Sequence, residues 1–433
     1  MAADIDQEGD HTDSARETFC PVPWIQSSVR NNGTFRVCCQ CSIAPGGGNL
    51  LDENGKVYNA KNVTPAQTRN AQLLKDVRKS LLNGEKHPVC RLCWDEEAKK
   101  IESKRQNETR ISERFFRFEH AEAITAPDGS IPKDTPIMSW DIRFGNLCNL
   151  KCVMCGPYDS SSWYNDFAEL FGDEFHDIEQ VTKLTKRASG NWLPEDDPYN
   201  WHDGSAFWEQ LEKSSPKMKK IYLAGGEPLL IERHYEFLRM CVDKGIAGEI
   251  ELDYATNGTR LPQKALELWS HFRHVNVNVS VDGIGPVIEY IRRGTRWADV
   301  AQNLKRLDET GSNVFAGINA TVSALNVRYM PDLREWIVQQ QFKKIKYFGH
   351  YLVNPPQLNM RILPLAAKAK IRERYERHFA EFGEHEGMRG YLTYMDSVDA
   401  ADQFRHLREY VGKLDQRHGL SFETALPELS AIL

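Results

Sequence analysis

From about Ile137 onward, apolar runs of strand length alternate with helical segments, and this alternation restricts the fold more than any other feature of the chain. Strands that alternate with helices pair in parallel, and such units curl into a barrel. We therefore predict an α/β fold, a partial (β/α)6 TIM-like barrel over residues 130–360. The six predicted strands are Ile137–Phe144, Lys220–Ala224, Glu249–Tyr254, Val275–Val281, Asn313–Val322 and Lys343–Val353.

Polar motifs follow the first four of these strands. In a parallel barrel the carboxyl ends of the strands meet at one face, where the chemistry of the fold is found. We therefore expect these motifs to form one functional site. They are Cys148, Cys152 and Cys155 after strand 1, Gly225-Gly226-Glu227 after strand 2, Asn257 after strand 3, and Ser280 and Asp282 around the end of strand 4.

The spacing of Cys148, Cys152 and Cys155 indicates an iron–sulfur site. A cubane cluster normally takes four thiolates, so three thiolates leave one iron open to a small molecule. A zinc knuckle is the alternative for such a loop. Zinc sites usually add a fourth Cys or His at close spacing, and none follows Cys155 nearby.

The cysteine loop resembles the signature of the radical S-adenosylmethionine (SAM) superfamily. The resemblance implies that the three cysteines are catalytic and bind a [4Fe–4S] cluster. In that family the open iron chelates SAM, and an electron from the cluster yields a 5′-deoxyadenosyl radical. Arg293 stands beside Arg292, so either arginine could face the SAM carboxylate. The SAM-binding residues implied by the resemblance are Gly225, Gly226, Glu227, Asn257, Ser280, Asp282 and Arg292.

A second set of cysteines, Cys20, Cys38, Cys90 and Cys93, lies before the barrel. Together with Gly33 it resembles the auxiliary-cluster pattern of twitch domains, which are shortened relatives of SPASM domains. The resemblance implies a second [4Fe–4S] cluster with no open iron. A structural zinc site is the alternative, because cysteine spacing alone does not separate the two.

The remaining sequence suggests four parts. We expect a disordered acidic tail over residues 1–17, a twitch-like hairpin and helix domain over 18–125, and a helical C-terminal extension over 361–433. The barrel carries an insertion of about 45 residues, 172–217, which is either a lid or a surface excursion with its own small core. Predicted elements of the N-terminal part are strands Pro23–Arg30 and Thr34–Val37 and helices Thr64–Asn83 and Asp95–Glu122.

Composition bears on the partners and the cellular location of the protein. The 433 residues carry a net charge of −6, which argues against nucleic acid as the main partner. Mean hydropathy is −0.55, and no apolar run reaches the length of a membrane span. The N-terminal residues form no secretion signal, and the ten cysteines cluster like metal ligands. We therefore expect a cytoplasmic protein.

The resemblance implies an enzyme, most simply an oxidoreductase. The expected reaction is hydrogen abstraction from an unactivated carbon of a small molecule, with electron transfer to the auxiliary cluster and a flavodoxin- or ferredoxin-like electron donor. Only 19 residues precede Cys20, so we expect no leader-binding module before the barrel. A peptide-modifying maturase that crosslinks or epimerises its substrate is the alternative. A zinc-binding structural protein on a degenerate barrel is a third.

Overall fold

The computed structural model describes residues 15–43, 45–98, 100, 102–177, 180–352 and 354–433. Most of the predicted acidic tail, residues 1–14, lies outside the described residues, as does Val353 at the end of predicted strand 6. Residues 15–18 are helical, and Ala15 is buried.

Thirteen strands lie within the described part of the chain. They are β1 Gln26–Val29, β2 Phe35–Arg36, β3 Ser139–Phe144, β4 Lys151–Cys152, β5 Glu174–Asp177, β6 Gln180–Lys186, β7 Trp192–Pro194, β8 Lys220–Gly225, β9 Glu251–Thr256, β10 His274–Ser280, β11 Arg292–Arg293, β12 Val314–Val322 and β13 Ile345–Tyr351.

The central sheet has the order β13-β12-β10-β9-β8-β3-β1-β2. Its six strands from β3 to β13 pair in parallel with their neighbours and correspond to the six predicted strands within two residues at each end. The prediction of an α/β fold with a parallel central sheet is confirmed. An addition that the sequence did not predict is β1, which pairs in parallel with β3 and extends the sheet.

The two faces of the central sheet differ in polarity. In β10, Val275, Val277 and Val279 are buried on one face, whereas Asn276 and Asn278 on the other face are half-buried. Helices cover the apolar face, because burying those side chains against helices removes them from water. The polar face is the inner face of the partial barrel, which leaves room there for a polar ligand.

Helices connect the strands and form the C-terminal part. Their bounds are Val22–Ile25, Pro65–Thr68, Gln72–Leu82, Arg91–Ala98, Lys104–Ser112, Phe118–Ile124, Tyr164–Leu170, Ser205–Ser214, Glu232–Asp243, Gln263–Trp269, Pro286–Ile291, Trp297–Asp308, Met330–Gln340, Leu365–Phe382, Glu386–Asp396, Phe404–His418, Phe422–Ala425 and Pro427–Ser430.

Three predicted elements of the N-terminal part are wrong in their extent. Predicted strand Pro23–Arg30 begins as a helical turn, because prolines at positions 21 and 23 fix helical φ angles. Predicted helix Thr64–Asn83 breaks at Asn70, whose side chain bonds to the backbone of Ile131. The long predicted helix Asp95–Glu122 is three helices, and one break lies at Ser103, which caps the helix that follows.

The insertion, residues 172–217, divides into two parts. Trp201 and Trp208 are buried, and their rings lie 6.4 Å and 5.3 Å from that of Phe144, so they cover the outer face of β3. The antiparallel sheet β5-β6-β7 packs around a small separate core. That core contains Tyr164, Phe175, Leu184 and Tyr199.

The helix Lys104–Ser112 is anchored to the central sheet by a buried carboxylate. Glu108 Oε1 lies 2.9 Å from Lys104 Nζ on its own helix and 3.2 Å from Lys220 Nζ on β8. Burial opposes the charge of Glu108, but the two ammonium groups outweigh it and lower the pKa of this carboxyl to about 2. The ion pairs fix the N-terminal part against the floor of the partial barrel.

We expect Glu108→Gln to lower the free energy of unfolding by about 3 kcal/mol at pH 7, because two buried ammonium groups lose their partner. The depressed pKa makes this contribution complete above about pH 4.5 and lost as the pH falls through about 2. Urea unfolding at several pH values should show that the difference in the free energy of unfolding between wild type and variant becomes smaller in acid. Glu102→Gln, at a side chain 60 % exposed, should cost less than about 1 kcal/mol. Equal losses in both variants would contradict the anchoring role.

The C-terminal helices pack on the barrel and on the cysteine loop. Tyr391 Oη lies 3.1 Å from Tyr347 Oη of β13, and Tyr375 donates a hydrogen bond to the carbonyl of Val327. Within the described residues, every helix is too short or too polar to cross a membrane.

Candidate functional site

The cysteine loop begins where β3 ends and is held by its backbone. Cys152 lies in β4, which pairs with β11 so that Cys152 is opposite Arg292, and Val153 donates its N–H to the carbonyl of Ile291. The indole of Trp163 donates to the carbonyl of Cys152 at 3.1 Å. The loop conformation is therefore set by segments from distant parts of the chain.

The three thiols of this loop lie together and differ in their ionisation. Burial raises the pKa of Cys148 to about 11. A hydrogen bond between the Cys152 and Cys155 thiols lowers the pKa of Cys152, with help from the nearby Arg292 guanidinium, and raises that of Cys155. Three adjacent thiols with no fourth cysteine in their loop fit a cluster with one open iron.

Gly225 ends β8 and packs against the end of β3, and Gly226 packs against the residues that lead into the cysteine loop. A Cβ on Gly226 would lie 2.3 Å from the carbonyl oxygen of Leu147, and one on Gly225 would lie 2.7 Å from the nitrogen of Phe144. Gly225 also has a φ of +124°, which side chains rarely tolerate. The close approach that the glycines permit is, in this structure, one between two backbone segments.

Glu227 is buried at the end of β8 and joins two strand ends. Its Oε1 accepts hydrogen bonds from Thr256 Oγ1 at 2.7 Å and from the N–H of Leu229, and its Oε2 accepts one from the N–H of Asn257 at 2.7 Å. Burial raises the pKa of Glu227, and these donors oppose that shift. Glu227 thereby fixes Asn257 in the site.

We expect Glu227→Gln to lower the free energy of unfolding by about 1–3 kcal/mol, because an amide accepts on one side only and leaves a buried donor unpaired. Glu232→Gln is the matched control, since that side chain is 72 % exposed and only pairs with Lys264. Urea unfolding of both variants measures the difference. A Glu227 variant as stable as the control would contradict the bridging role of this carboxylate.

Asn257 connects the end of β9 to the cysteine loop. Its Nδ2 donates to Asn149 Oδ1 at 3.0 Å and lies 3.8 Å from the sulfur of Cys148. Its Oδ1 accepts from the N–H and hydroxyl of Thr259. The Asn257 side chain therefore both approaches the Cys148 thiol and stabilises the turn that follows β9.

Arg292 and Asp282 form a buried ion pair next to the thiols. Arg292 Nε lies 2.7 Å from Asp282 Oδ2, and its Nη1 lies 3.9 Å from the sulfur of Cys152. Burial opposes the charge of Arg292, but Asp282 and Cys152 outweigh it and raise the pKa of the guanidinium. Arg293 points elsewhere, to Asp415 of a C-terminal helix at 3.6 Å. Of the two adjacent arginines, only Arg292 approaches the cysteine loop.

Ser280 is less closely connected to the thiols. It is the last residue of β10, lies opposite Asn319 of β12 in the sheet register, and is half-buried. The structure therefore brings together the cysteines, Glu227, Asn257, Asp282 and Arg292, while Ser280 lines the neighbouring strand end.

The N-terminal thiols form a second group. Cys90 lies close enough to Cys20, Cys38 and Cys93 that burial and their negative charge together raise its pKa. Cys38 Sγ is 3.6 Å from Cys41 Sγ, a neighbour that the cysteine spacing did not single out. In the described part of the chain, no three His, Cys, Asp or Glu side chains are grouped to hold a single metal ion. A four-iron cluster is larger than one ion and sets its thiols further apart.

Cys39 lies beside that group. Its electrostatic neighbours are Lys104, Asp141, Cys38 and Arg143, and burial raises its pKa to about 11. Arg143 on the inner side of β3 also lies near Tyr158, three residues after the cysteine loop. Polar side chains thus fill the inner space between the two groups of thiols.

Several residues that hold the cysteine loop escaped the sequence analysis. The hydroxyl of Tyr410 donates to the carbonyl of Val153 at 2.8 Å. Buried Asp166 accepts from Lys151 of the loop at 2.7 Å and from Arg417 of the helix Phe404–His418 at 3.0 Å. The contacts of Tyr410 and Arg417 join segments that are 257 and 251 residues apart, so no local pattern could have found them.

Residues 142–337 match the family model described as the radical SAM superfamily. They form a radical SAM domain. The matched segment runs from β3 through the helix Met330–Gln340 and contains the cysteine loop, the glycine–glutamate motif and Arg292. The resemblance predicted from the cysteine spacing is confirmed for this segment.

Curated relatives match only part of this chain. The GTP 3′,8-cyclases of Rhizobium leguminosarum bv. trifolii and Rhizobium etli are each 33 % identical to this chain over 115 residues, which is 27 % of this chain and 31 % of each cyclase. The chain thus spans about a third of the length of these relatives.

Solved structures overlap with the chain more widely but loosely. Native anSMEcpe with bound AdoMet is 16 % identical, covers 57 % of this chain and 63 % of that protein, and gives a TM-score of 0.35. Streptococcus suis SuiB bound to S-adenosylmethionine is 13 % identical, covers 71 % and 64 %, and gives a TM-score of 0.36. Overlaps at this level bear on neither fold nor function.

Proposed function

We propose that this protein is a radical SAM enzyme that abstracts a hydrogen atom from an unactivated carbon of a small molecule. The observation that carries the proposal is the group of three thiols at the strand ends of a radical SAM domain, contacted by Asn257 and Arg292. Cys148, Cys152 and Cys155 would hold a [4Fe–4S] cluster. With SAM bound, this site would supply a 5′-deoxyadenosyl radical.

The surrounding residues would hold and orient SAM. Asn257 and Arg292 are close to the thiols, so they would contact the part of SAM nearest the cluster. Glu227 and Asp282 act through them, since each carboxylate holds one of the two in place. The full set that we propose for SAM binding is Gly225, Gly226, Glu227, Asn257, Ser280, Asp282 and Arg292.

The second group of thiols supports an oxidative reaction. Cys20, Cys38, Cys90 and Cys93 would hold an auxiliary [4Fe–4S] cluster of the twitch type, with every iron ligated. A cluster without an open iron suits electron transfer, so it would accept an electron from the substrate and make the net reaction an oxidation. A flavodoxin- or ferredoxin-like protein would reduce the first cluster.

The test is anaerobic reconstitution with iron and sulfide, followed by reduction with dithionite in the presence of SAM. We expect about eight irons per chain, EPR signals of two clusters, and formation of 5′-deoxyadenosine and methionine. Iron uptake without any SAM cleavage would overturn the proposal. Zinc in place of iron at both groups of thiols would favour the structural-protein alternative.

A peptide substrate is the second candidate, and the edge strand β13 favours it. Its inner-face side chain Phe348 is 51 % exposed, and Lys346 and His350 beside it are exposed too. An extended peptide can add to such an edge through backbone hydrogen bonds. Crosslinking or epimerisation of a peptide would use the same site.

A further inference from the structure

A cavity of about 480 Å³ lies outside the strand-end site. It is formed between the segment 356–362, which follows β13, and the helix Phe404–His418 of the C-terminal part. None of the residues assigned above to SAM or to either group of thiols lines it. Its walls include Phe171, Arg361, His406, Glu409, Tyr410 and Lys413.

Two cations face this cavity without a carboxylate partner. Among the described residues, no Asp or Glu forms an ion pair with Arg361 or Lys413, whereas His406 lies 3.7 Å from Glu409. Arg361 is held in place, because its Nε donates to Asn359 Oδ1 at 3.3 Å. Arg361 and Lys413 outnumber Glu409, the one carboxylate among the described residues that line the cavity, so the fixed charge at its walls is positive and favours an anionic ligand.

The cavity also has a flat aromatic wall. The rings of Phe171 and Tyr410 stack with their centroids 5.8 Å apart and their planes 23° from parallel. Lys413 Nζ lies 5.7 Å from the centre of the Phe171 ring, so charge and aromatic surface are adjacent. Phe171 is 39 % exposed, which leaves a face open to a ligand.

We propose that this cavity binds an anionic small molecule with a planar apolar portion, such as an aryl carboxylate or an aryl phosphate. Arg361 and Lys413 pair with the anionic group, and Phe171 and Tyr410 receive the planar portion. The binding energy comes from charge and stacking together. A ligand with only one of the two features therefore binds less tightly.

The position of the cavity connects it to the radical SAM domain. The Tyr410 hydroxyl donates to the carbonyl of Val153, which lies between Cys152 and Cys155. A ligand on the ring of Tyr410 therefore sits one side chain behind the cysteine loop. The site is separate from the strand ends, so its occupancy does not depend on SAM or on the proposed reaction.

Calorimetry on the reconstituted full chain tests the proposal, with phenyl phosphate, benzoate, inorganic phosphate and acetate as probes at one ionic strength. We expect phenyl phosphate and benzoate to bind more tightly than phosphate and acetate. The double variant with Arg361→Ala and Lys413→Ala should bind the aryl anions about tenfold or more weakly than the wild type. Phe171→Leu should remove most of the preference for aryl over simple anions.

Arg296→Ala is the control for charge, because it removes one cation at a side chain 78 % exposed and far along the chain from the cavity. It should bind the aryl anions like the wild type. Lys413→Ala alone, at an exposed helix position, keeps the test valid if the double variant folds poorly. Aryl anions that bind no better than phosphate, or a Lys413 variant that binds like the Arg296 control, would overturn the proposal.

Discussion

Replacing Cys148, Cys152 and Cys155 together with alanine should abolish 5′-deoxyadenosine formation and lower the iron content from about eight to about four per chain. These thiols are the only cysteines in their loop, and Cys152 is fixed opposite Arg292 by the pairing of β4 with β11. Nothing else in the loop supplies a thiolate for iron. Iron and sulfide analysis, EPR and product analysis by mass spectrometry measure the two effects.

Cys241→Ala is the matched control for cysteine removal. Cys241 is fully buried in the helix Glu232–Asp243 and belongs to the main core. Its replacement should leave iron content and SAM cleavage unchanged and cost only about 1 kcal/mol of stability or somewhat more, as for other small cavities. If the triple variant kept all of its iron, the assignment of the first cluster to this loop would be wrong.

Most of the fold could be predicted from the pattern of strands in the sequence. All six parallel strands were predicted closely, because each is an apolar-rich run of strand length between helical segments, and the first four end at polar motifs. The same logic located the candidate site, since carboxyl ends of parallel strands meet at one face. The helices of the N-terminal part were harder to bound, because Ser103 begins one helix and Asn70 separates two others through side-chain hydrogen bonds that the apolar pattern does not register.

Contacts between distant segments could not be predicted. The sequence indicates that Glu227 belongs to the site, but not that its carboxylate is occupied by Thr256 and the N–H of Asn257. It also leaves the choice between Arg292 and Arg293 open, and it does not show that the Arg292 guanidinium lies beside Asp282 and the sulfur of Cys152. In the same way, the sequence does not show that Cys38 Sγ lies 3.6 Å from Cys41 Sγ.

Removing both Cys90 and Cys93 separates the two proposed clusters. We expect Cys90→Ala with Cys93→Ala to lower the iron content by about four atoms per chain, with the EPR signal of the first cluster retained. SAM cleavage should persist, since the loop Cys148–Cys155 is untouched. Product formation should stop, because the electron left after hydrogen abstraction has no acceptor.

The control for this variant is Cys39→Ala. Cys39 belongs to the same segment as Cys38 but is outside the proposed ligand set, and its electrostatic neighbours include Lys104, Asp141 and Arg143 as well as Cys38. The Cys39→Ala variant should therefore keep the full iron content. This result would show that the second site is emptied by the loss of a ligand and not by disturbance of the segment. Unchanged turnover in the Cys90/Cys93 variant would contradict electron transfer to that site. Zinc there in the wild type, with about four irons in total, would instead make the N-terminal thiols a structural site and the reaction redox-neutral.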